Sequence, residues 1–467
     1  MKKMLITAAI VAGAATTAQA ADLARKAPVY KAPVMQVYDW TGFYIGVNAG
    51  GSVGRNRTST AGSVLGTPFL GERAHLSPAG AVGGGQIGYN WQFRNFYNVV
   101  LGVEADIQAS GQRDNHTCLF ACTPAFFARF DQKLDWFGTV RGRIGLATGP
   151  VLTYFTAGYA YGNVQTDIVT NGGNFSIDRS KGGYVIGSGV EAQISGNWTG
   201  KIEYLYVDLG SIGASVVVPP FITASGSSQI RDHIFRAGLN YRFGNGGYSA
   251  PLANWSGVYI GGNFGSVIAR NRSALTLAGG TETFNLVPDG YIGGGQIGYN
   301  WQAGAWVIGA EADFQGSFAK DNKACLQFCI AGSAVGIEQK VPYLGTVRGR
   351  IGYSVGSTLF YGTAGFAYGQ TKTRFTEVLG GVAGTAEIKR SKGGYVVGAG
   401  IESPFNPLNL FGPNWTSKTE YLYVDLGRTT NTFTAAAAAQ TFSTKTEEHI
   451  FRTGINYHFN TPVVAKY

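Results

Sequence analysis

A seven-residue string, Thr139-Val140-Arg141-Gly142-Arg143-Ile144-Gly145, returns almost unchanged as Thr346-Val347-Arg348-Gly349-Arg350-Ile351-Gly352. Side chains of an extended chain alternate between two faces. Arg141 and Arg143 therefore share one face, while Val140, Gly142 and Ile144 share the other. A strand apolar on one side and doubly cationic on the other needs two different surroundings. The cations require water or carboxylates, and the apolar face requires a core or lipid.

The string is part of a duplication that spans most of the chain. GGGQIGYNWQ at 83–92 recurs at 293–302, SKGGYV at 180–185 recurs at 391–396, and EYLYVDLG at 203–210 recurs at 420–427. Trp40-Thr-Gly-Phe-Tyr-Ile-Gly is answered by Trp255-Ser-Gly-Val-Tyr-Ile-Gly, and His233-Ile-Phe-Arg by His449-Ile-Phe-Arg. The offset drifts between 207 and 217, which puts insertions between the shared strings, where loops belong.

Within a unit the period is two. Gln86, Gly88 and Asn90 oppose Ile87, Tyr89 and Trp91; Glu104 and Asp106 oppose Val103, Ala105 and Ile107; Arg236 and Asn240 oppose Ala237, Leu239 and Tyr241. Short turns are expected near 93–97, 148–150 and 195–197, and long polar loops near 54–78, 111–133, 166–180 and 211–230. Eight strands with short turns at one end and long loops at the other follow. That is the pattern of an outer-membrane barrel, whose spans take about 9–11 residues each.

Composition and the N-terminus agree with this. Charged residues are 14% of the chain, against about 25% in ordinary soluble proteins, while Gly reaches 70 residues among 467. Lys2 and Lys3 precede an apolar run from Met4 to Ala15, and Ala18-Gln19-Ala20 offers a small-x-small cleavage site. Residues 1–20 thus read as a signal peptide, and 21–39 as a disordered periplasmic tail. No stretch approaches the roughly 20 apolar residues of a spanning helix. The expected domains are a first eight-stranded unit over 40–243, a linker over 244–254, a second unit over 255–459 and a C-terminal extension over 460–467. The alternative is one sixteen-stranded barrel with 244–254 as a long turn.

The polar face of the first unit holds Glu104, Asp106, Arg141, Arg143, Glu191, Lys201, Glu203 and Arg236. The second holds Glu311, Asp313, Arg348, Arg350, Glu402, Lys418, Glu420 and Arg452. Each set has four charges of each sign. An eight-stranded barrel is just wide enough for side chains to fill it, and buried charges must be paired. An interior ion network is expected, with Glu104 and Asp106 as partners of Arg141 and Arg143; a charged conduction path is the alternative. Arg55, Arg57, Arg270 and Arg272 fall at the base of an outer loop. They read either as a grip on lipopolysaccharide phosphates or as a solvated rim.

Cys118 with Cys122, and Cys325 with Cys329, read as local disulfides in an exported chain. His116 lies near the first pair, but Lys323 at the matching place in the second is no metal ligand. Gly83-x-Gly85-x-x-Gly88 spells a dinucleotide fingerprint, yet it lies inside an alternating strand and lacks the helix that motif needs. His233 and His449, preceded by Asp232 and Glu448, fall by parity on the lipid side as rim residues. His75, His116 and His458 do not recur as pairs. No recurring inward Ser/His/Asp set is present, so neither catalysis nor a cofactor is expected.

The strings Trp40–Gly46, 83–92, Gly102–Asp106, Thr139–Gly145, Lys181–Tyr184 and Glu203–Gly210 together resemble the alphaproteobacterial outer-membrane immunogenic proteins, which are similar to the OmpA and OmpX barrels. The resemblance runs over 40–243 and again over 255–459. It implies a surface-exposed, all-β outer-membrane barrel with a part in envelope integrity and surface contact, inserted by barrel-assembly machinery that reads a terminal aromatic. Some relatives are called porins, so a channel for small hydrophilic solutes is the alternative function. Here Phe459 is followed by eight more residues. The partners expected are outer-membrane lipid and lipopolysaccharide, with no nucleic acid.

Overall fold

The computed structural model describes residues 38–459, apart from 65–66, 124–125, 172, 219–221, 245–251, 278–279, 331–332, 380, 407–409 and 437. The expected signal peptide, most of the tail, most of the linker and the C-terminal extension lie outside the described residues. Tyr38, expected in the disordered tail, is instead packed edge-on against Trp40, ring centroids 5.0 Å apart.

The described residues form strands and turns with no helix. The first half comprises β1 (Gly42–Gly54), β2 (Asn56–Val64), β3 (Thr67–Leu76), β4 (Ala79–Phe93), β5 (Val99–Thr123), β6 (Phe126–Thr148), β7 (Val151–Thr170), β8 (Gly173–Ser195), β9 (Trp198–Val218) and β10 (Ile222–Phe243). The second half comprises β11 (Gly257–Ala269), β12 (Asn271–Leu277), β13 (Gly280–Leu286), β14 (Asp289–Ala303), β15 (Trp306–Ile330), β16 (Ser333–Val355), β17 (Thr358–Leu379), β18 (Val382–Pro404), β19 (Trp415–Ala435) and β20 (Ala438–His458). Arg55 interrupts a single stave made of β1 and β2, and Ser77-Pro78 interrupts the stave of β3 and β4. Each half therefore has eight staves.

All pairings are antiparallel. β1 pairs with both β4 and β10, Phe43 opposite Tyr89 on one side and Phe243 on the other. β11 likewise pairs with β14 and β20. The ring of pairings thus closes within each half; a single larger ring would need β10 to pair with β11.

Turns fall at 94–98, 149–150 and 196–197. Gly149 and Gly196 take φ of +57° and +52°, the left-handed values that a two-residue hairpin needs and glycine adopts without strain. The other ends differ from the expectation. The segments read as long loops are largely strand: β5 runs 25 residues and β6 runs 23. At ~3.3 Å per residue and a tilt near 40°, β5 rises roughly 60 Å, against an apolar band ~25 Å tall. Parts of these extensions alternate polar with polar, as in Asp114 against Arg113, while others bury an apolar face, as with Val335, Ile337 and Phe375.

Exposed apolar side chains cluster toward the turn end, as with Leu101, Val103 and Ile107 on β5 and Val140, Ile144 and Leu146 on β6. Trp91, Phe93, Trp198 and Phe243 ring the lower edge, while Trp136, Tyr159 and Tyr184 mark the upper. Two aromatic girdles around an apolar band are what a lipid bilayer selects.

The two halves meet through reciprocal contacts. Tyr204 stacks on Phe451 at 5.6 Å, and its counterpart Tyr421 packs on Phe235 at 5.0 Å. Arg55 Nε donates to the Val287 carbonyl at 3.0 Å, and Arg270 Nε to the Ser77 carbonyl at 2.9 Å. Asn285 lies opposite His75 across a strand pairing between β13 and β3. Each contact has its mate at the duplicated position, so the halves pack as the two copies of an isologous dimer do.

Candidate functional site

The lumen of each half is filled in layers. At the turn end of the first, Trp40 is fully buried with Val100, Ala147 and Leu152. Its indole N–H donates to the Gly149 carbonyl at 3.1 Å, and the Arg242 guanidinium lies 4.9 Å from its ring. Trp255 plugs the second half with Ala253, Val307 and Leu359, donating to Ser354 Oγ at 3.0 Å.

The charged layer follows. None of its sixteen side chains is more than 5% exposed. Arg141 stands directly opposite Glu104 in register. It donates to Glu104, to Asp106 at 2.9 Å and to Glu203 at 3.0 Å. Arg236 bridges Glu203 at 2.8 Å and Asp106 at 2.9 Å. Lys201 donates to both oxygens of Glu104 at 3.0 Å. Arg143 reaches Glu191 at 3.1 Å and Asn90 at 2.7 Å.

The second half repeats the circuit. Arg348 reaches Glu311, Asp313 at 2.9 Å and Glu420 at 3.1 Å. Arg350 reaches Glu402 at 2.9 Å, Lys418 reaches Glu311 at 2.7 Å, and Arg452 joins Glu420 and Asp313, each at 2.8 Å.

One expected pairing is corrected. Arg143 faces Gly102, not a carboxylate, in register. Its hydrogen-bonded partner is Glu191 on β8, one strand beyond the neighbouring β7, with Glu104 at 3.7 Å, while Asp106 is taken by Arg141 and Arg236. In so narrow a ring side chains reach past the adjacent strand, and Lys201 on β9 meets Glu104 on the opposite stave β5.

Four tyrosines complete the layer and escaped the sequence reading. Tyr44 donates to Glu104 at 2.7 Å and Tyr154 to Glu203 at 2.9 Å; Tyr259 and Tyr361 do the same for Glu311 and Glu420 at 2.6 and 3.0 Å. The signal was present: Tyr44 alternates with the outward Phe43 and Ile45. A Cβ at Gly88 would collide with the Tyr44 hydroxyl, and one at Gly298 with that of Tyr259, so the repeated glycines of the 83–92 string make room for these bonds.

Above the charges comes a dry layer. Phe137, Val185, Leu205 and Ile234 are buried together in the first half, and Ile292, Leu344, Val396 and Leu422 in the second.

Other expected residues lie elsewhere. Arg55 is 8% exposed and held by Asp321 and Asp289 of the second half, each at 3.2 Å; Arg270 is turned to the first half. These two are not at a solvated rim, because the face above the girdle is covered by the other copy. Arg57 remains exposed, and Arg272 is 39% exposed beside Glu447 at 3.3 Å. His233 and His449 do fall on the outer face, but not against lipid. The Tyr204 hydroxyl bonds His233 at 2.8 Å, and His449 stacks on Phe235 of the first half at 5.8 Å. Cys118 is disulfide-bonded; the side chains of Cys122, Cys325 and Cys329 lie outside the described residues.

A closed antiparallel ring with a girdled apolar exterior and a side-chain-filled core is a transmembrane β-barrel of the outer-membrane type. Residues 6–243 and 248–459 each match the outer membrane protein beta-barrel domain, and the chain belongs to that family. It is similar to the 31 kDa outer-membrane immunogenic protein of Brucella melitensis, 36% identical over 248 residues that cover 52% of this chain and all of the relative. It is also similar to the 22 kDa outer membrane protein of Rhizobium leguminosarum, 33% identical over 38% of this chain and 66% of the relative. It is an outer-membrane protein, and among the described residues nothing points to catalysis.

Solved structures resemble it only slightly. Ail, the attachment invasion locus protein of Yersinia pestis, matches 43% of this chain and 99% of its own at 13% identity and TM-score 0.24. The toluene transporter TodX of Pseudomonas putida matches 90% of both chains at 9% identity and TM-score 0.25.

Proposed function

We propose that the protein is a non-conducting element of the outer membrane, two filled eight-stranded barrels that reinforce the envelope and carry a surface for outside contact. One observation carries this reading. Each lumen holds a tryptophan plug, a buried layer of paired charges and a buried apolar layer in series. A channel for small solutes would need the middle layer hydrated, yet each of its eight carboxylates already accepts from a cation of the same layer. The strand extensions, which carry β5 about 35 Å beyond the apolar band, supply the outward surface. Arg57 and Arg272 are the rim cations left to meet lipopolysaccharide phosphates, since Arg55 and Arg270 are engaged between the halves.

A strain lacking the protein tests the role. Heightened sensitivity to bile salts and large hydrophobic antibiotics, with unchanged uptake of small hydrophilic solutes, is expected. Unaltered barrier properties with slowed solute uptake would overturn the reading.

A further inference from the structure

Four lysines of the second half stand in one row. Lys320 on β15 lies opposite Lys340 on β16, Lys340 opposite Lys372 on β17, and Lys372 opposite Lys389 on β18. All face outward: Gln339 and Val341 beside Lys340, and Thr371 and Thr373 beside Lys372, are the buried neighbours. The side chains of Lys340, Lys372 and Lys389 are 47%, 36% and 59% exposed. Arg374, 61% exposed, adds a fifth cation one step further out.

Three carboxylates lie beside this set: Asp289 stands opposite Lys320 but is bound by Arg55 of the first half, and two others face the row. Glu387 lies 3.1 Å from Lys372, 3.2 Å from Lys389 and 3.7 Å from Arg374; Glu338 takes Lys340 at 2.6 Å. Like charges directly opposite on neighbouring strands destabilise a sheet, so the row is a surface that an external anion completes. The first half gives the contrast. Its matching positions are Arg113, Lys133, Gln165 and Asp178, in the same register. Asp131, Asp167 and Ser176 answer Glu338, Arg374 and Glu387. With Asp289 and its counterpart Ala79 included, the second half has five cations and three anions over these eight positions, the first half two cations and three anions.

Height narrows the ligand. Lys320 is two residues beyond the exposed Phe318, and Lys389 six residues from Tyr395 of the upper girdle. At ~2.5 Å of rise per residue in a tilted strand, the row climbs from about 5 to about 15 Å above the girdle. Three strand spacings of ~4.8 Å make it about 14 Å long. We propose that Lys320, Lys340, Lys372 and Lys389 form a binding site for the phosphate groups of a phosphorylated saccharide, rising from the outer leaflet along the wall of the second half. Ammonium groups suit phosphate as point charges and impose no fixed bidentate geometry. The site rests on the outer-membrane surface role proposed above, but not on the lumen being closed.

The full chain, refolded in micelles free of lipopolysaccharide, is titrated with lipopolysaccharide vesicles, with the dephosphorylated lipid, and with the phosphorylated core oligosaccharide freed of lipid. Dephosphorylation, or K372Q with K389D, is expected to weaken vesicle binding about a hundredfold at low ionic strength. Both replacements are the residues the first half already carries at those places, and retained heat-modifiable mobility on a gel reports folding. The reciprocal Q165K with D178K is expected to add a second site. Equal binding of the free oligosaccharide makes saccharide phosphate alone the ligand; binding only in vesicles makes the membrane lipid its source. Wild-type affinity in K372Q with K389D overturns the site. If R57A with R272A alone abolishes binding, the lysine row fails while the surface role stands.

Discussion

Replacing Arg141 by Ala removes the most connected cation of the first lumen. Its guanidinium meets Glu104, Asp106 and Glu203 with its side chain 1% exposed. The variant leaves four carboxylates facing three cations in a space that water does not reach. Removing one partner of a buried ion pair typically costs 3–5 kcal/mol, and three carboxylates losing one donor place this case at the upper end, about 5 kcal/mol. Restoring the balance should recover most of that loss: Arg141→Met with Asp106→Asn leaves three of each sign and is expected within about 2 kcal/mol of wild type, since a buried ion pair is worth little over an apolar replacement. Denaturant unfolding in micelles, followed by circular dichroism and by gel mobility, measures both variants. Arg348→Ala repeats the experiment in the second half, and the two costs should add because the networks share no residue. A wild-type midpoint in Arg141→Ala would mean that water solvates the stranded carboxylates, and the filled-lumen argument would fall.

Further expectations follow from other contacts. Arg55→Ala and Arg270→Ala should each weaken the union of the halves by about 1.5–3 kcal/mol, the worth of a charged hydrogen bond; cysteine cross-linking across the Tyr204–Phe451 stack would report it, and an unchanged yield would contradict it. Phe137→Ala, at a fully buried site, should cost about 3–5 kcal/mol without opening a current, because the charge layer beneath it persists. Above the girdle, burial raises the Asp321 carboxyl, but His75 and Arg55 outweigh this and hold it below the usual aspartate range. Its contribution is therefore present at neutral pH and lost as pH falls through that depressed value. The same cross-link should weaken only in acid below about pH 4; an unchanged yield down to about pH 2 would contradict it.

The membrane-spanning part of the fold was legible because lipid on one side and charge on the other impose a strict period of two. Arg141, Glu104 and Glu203 could be placed by parity alone. Their partners could not, because a bore this narrow brings Arg143 to Glu191 two strands away and Lys201 to Glu104 on the opposite stave, and parity has no information about distance across the ring. The strand extensions look like loops in the sequence where residues such as Arg113 and Asp114 make both faces polar. The dry layer was hidden in a visible clue: Glu203-Tyr-Leu-Tyr-Val-Asp-Leu stops alternating at Leu205 and Val207, which is what burial on both faces does. The place of His233 between the halves is not legible, because a single strand cannot show that a second copy covers it, although a histidine among lipid-facing aromatics is out of place.

Single-channel recording of the refolded mature protein in a planar bilayer tests the central claim most directly. Two rings filled by side chains predict an electrically silent membrane at neutral pH, in the wild type and in Phe137→Ala alike. A steady, ion-selective current of porin scale would contradict the account and would require either hydrated lumens or one larger ring formed from both halves.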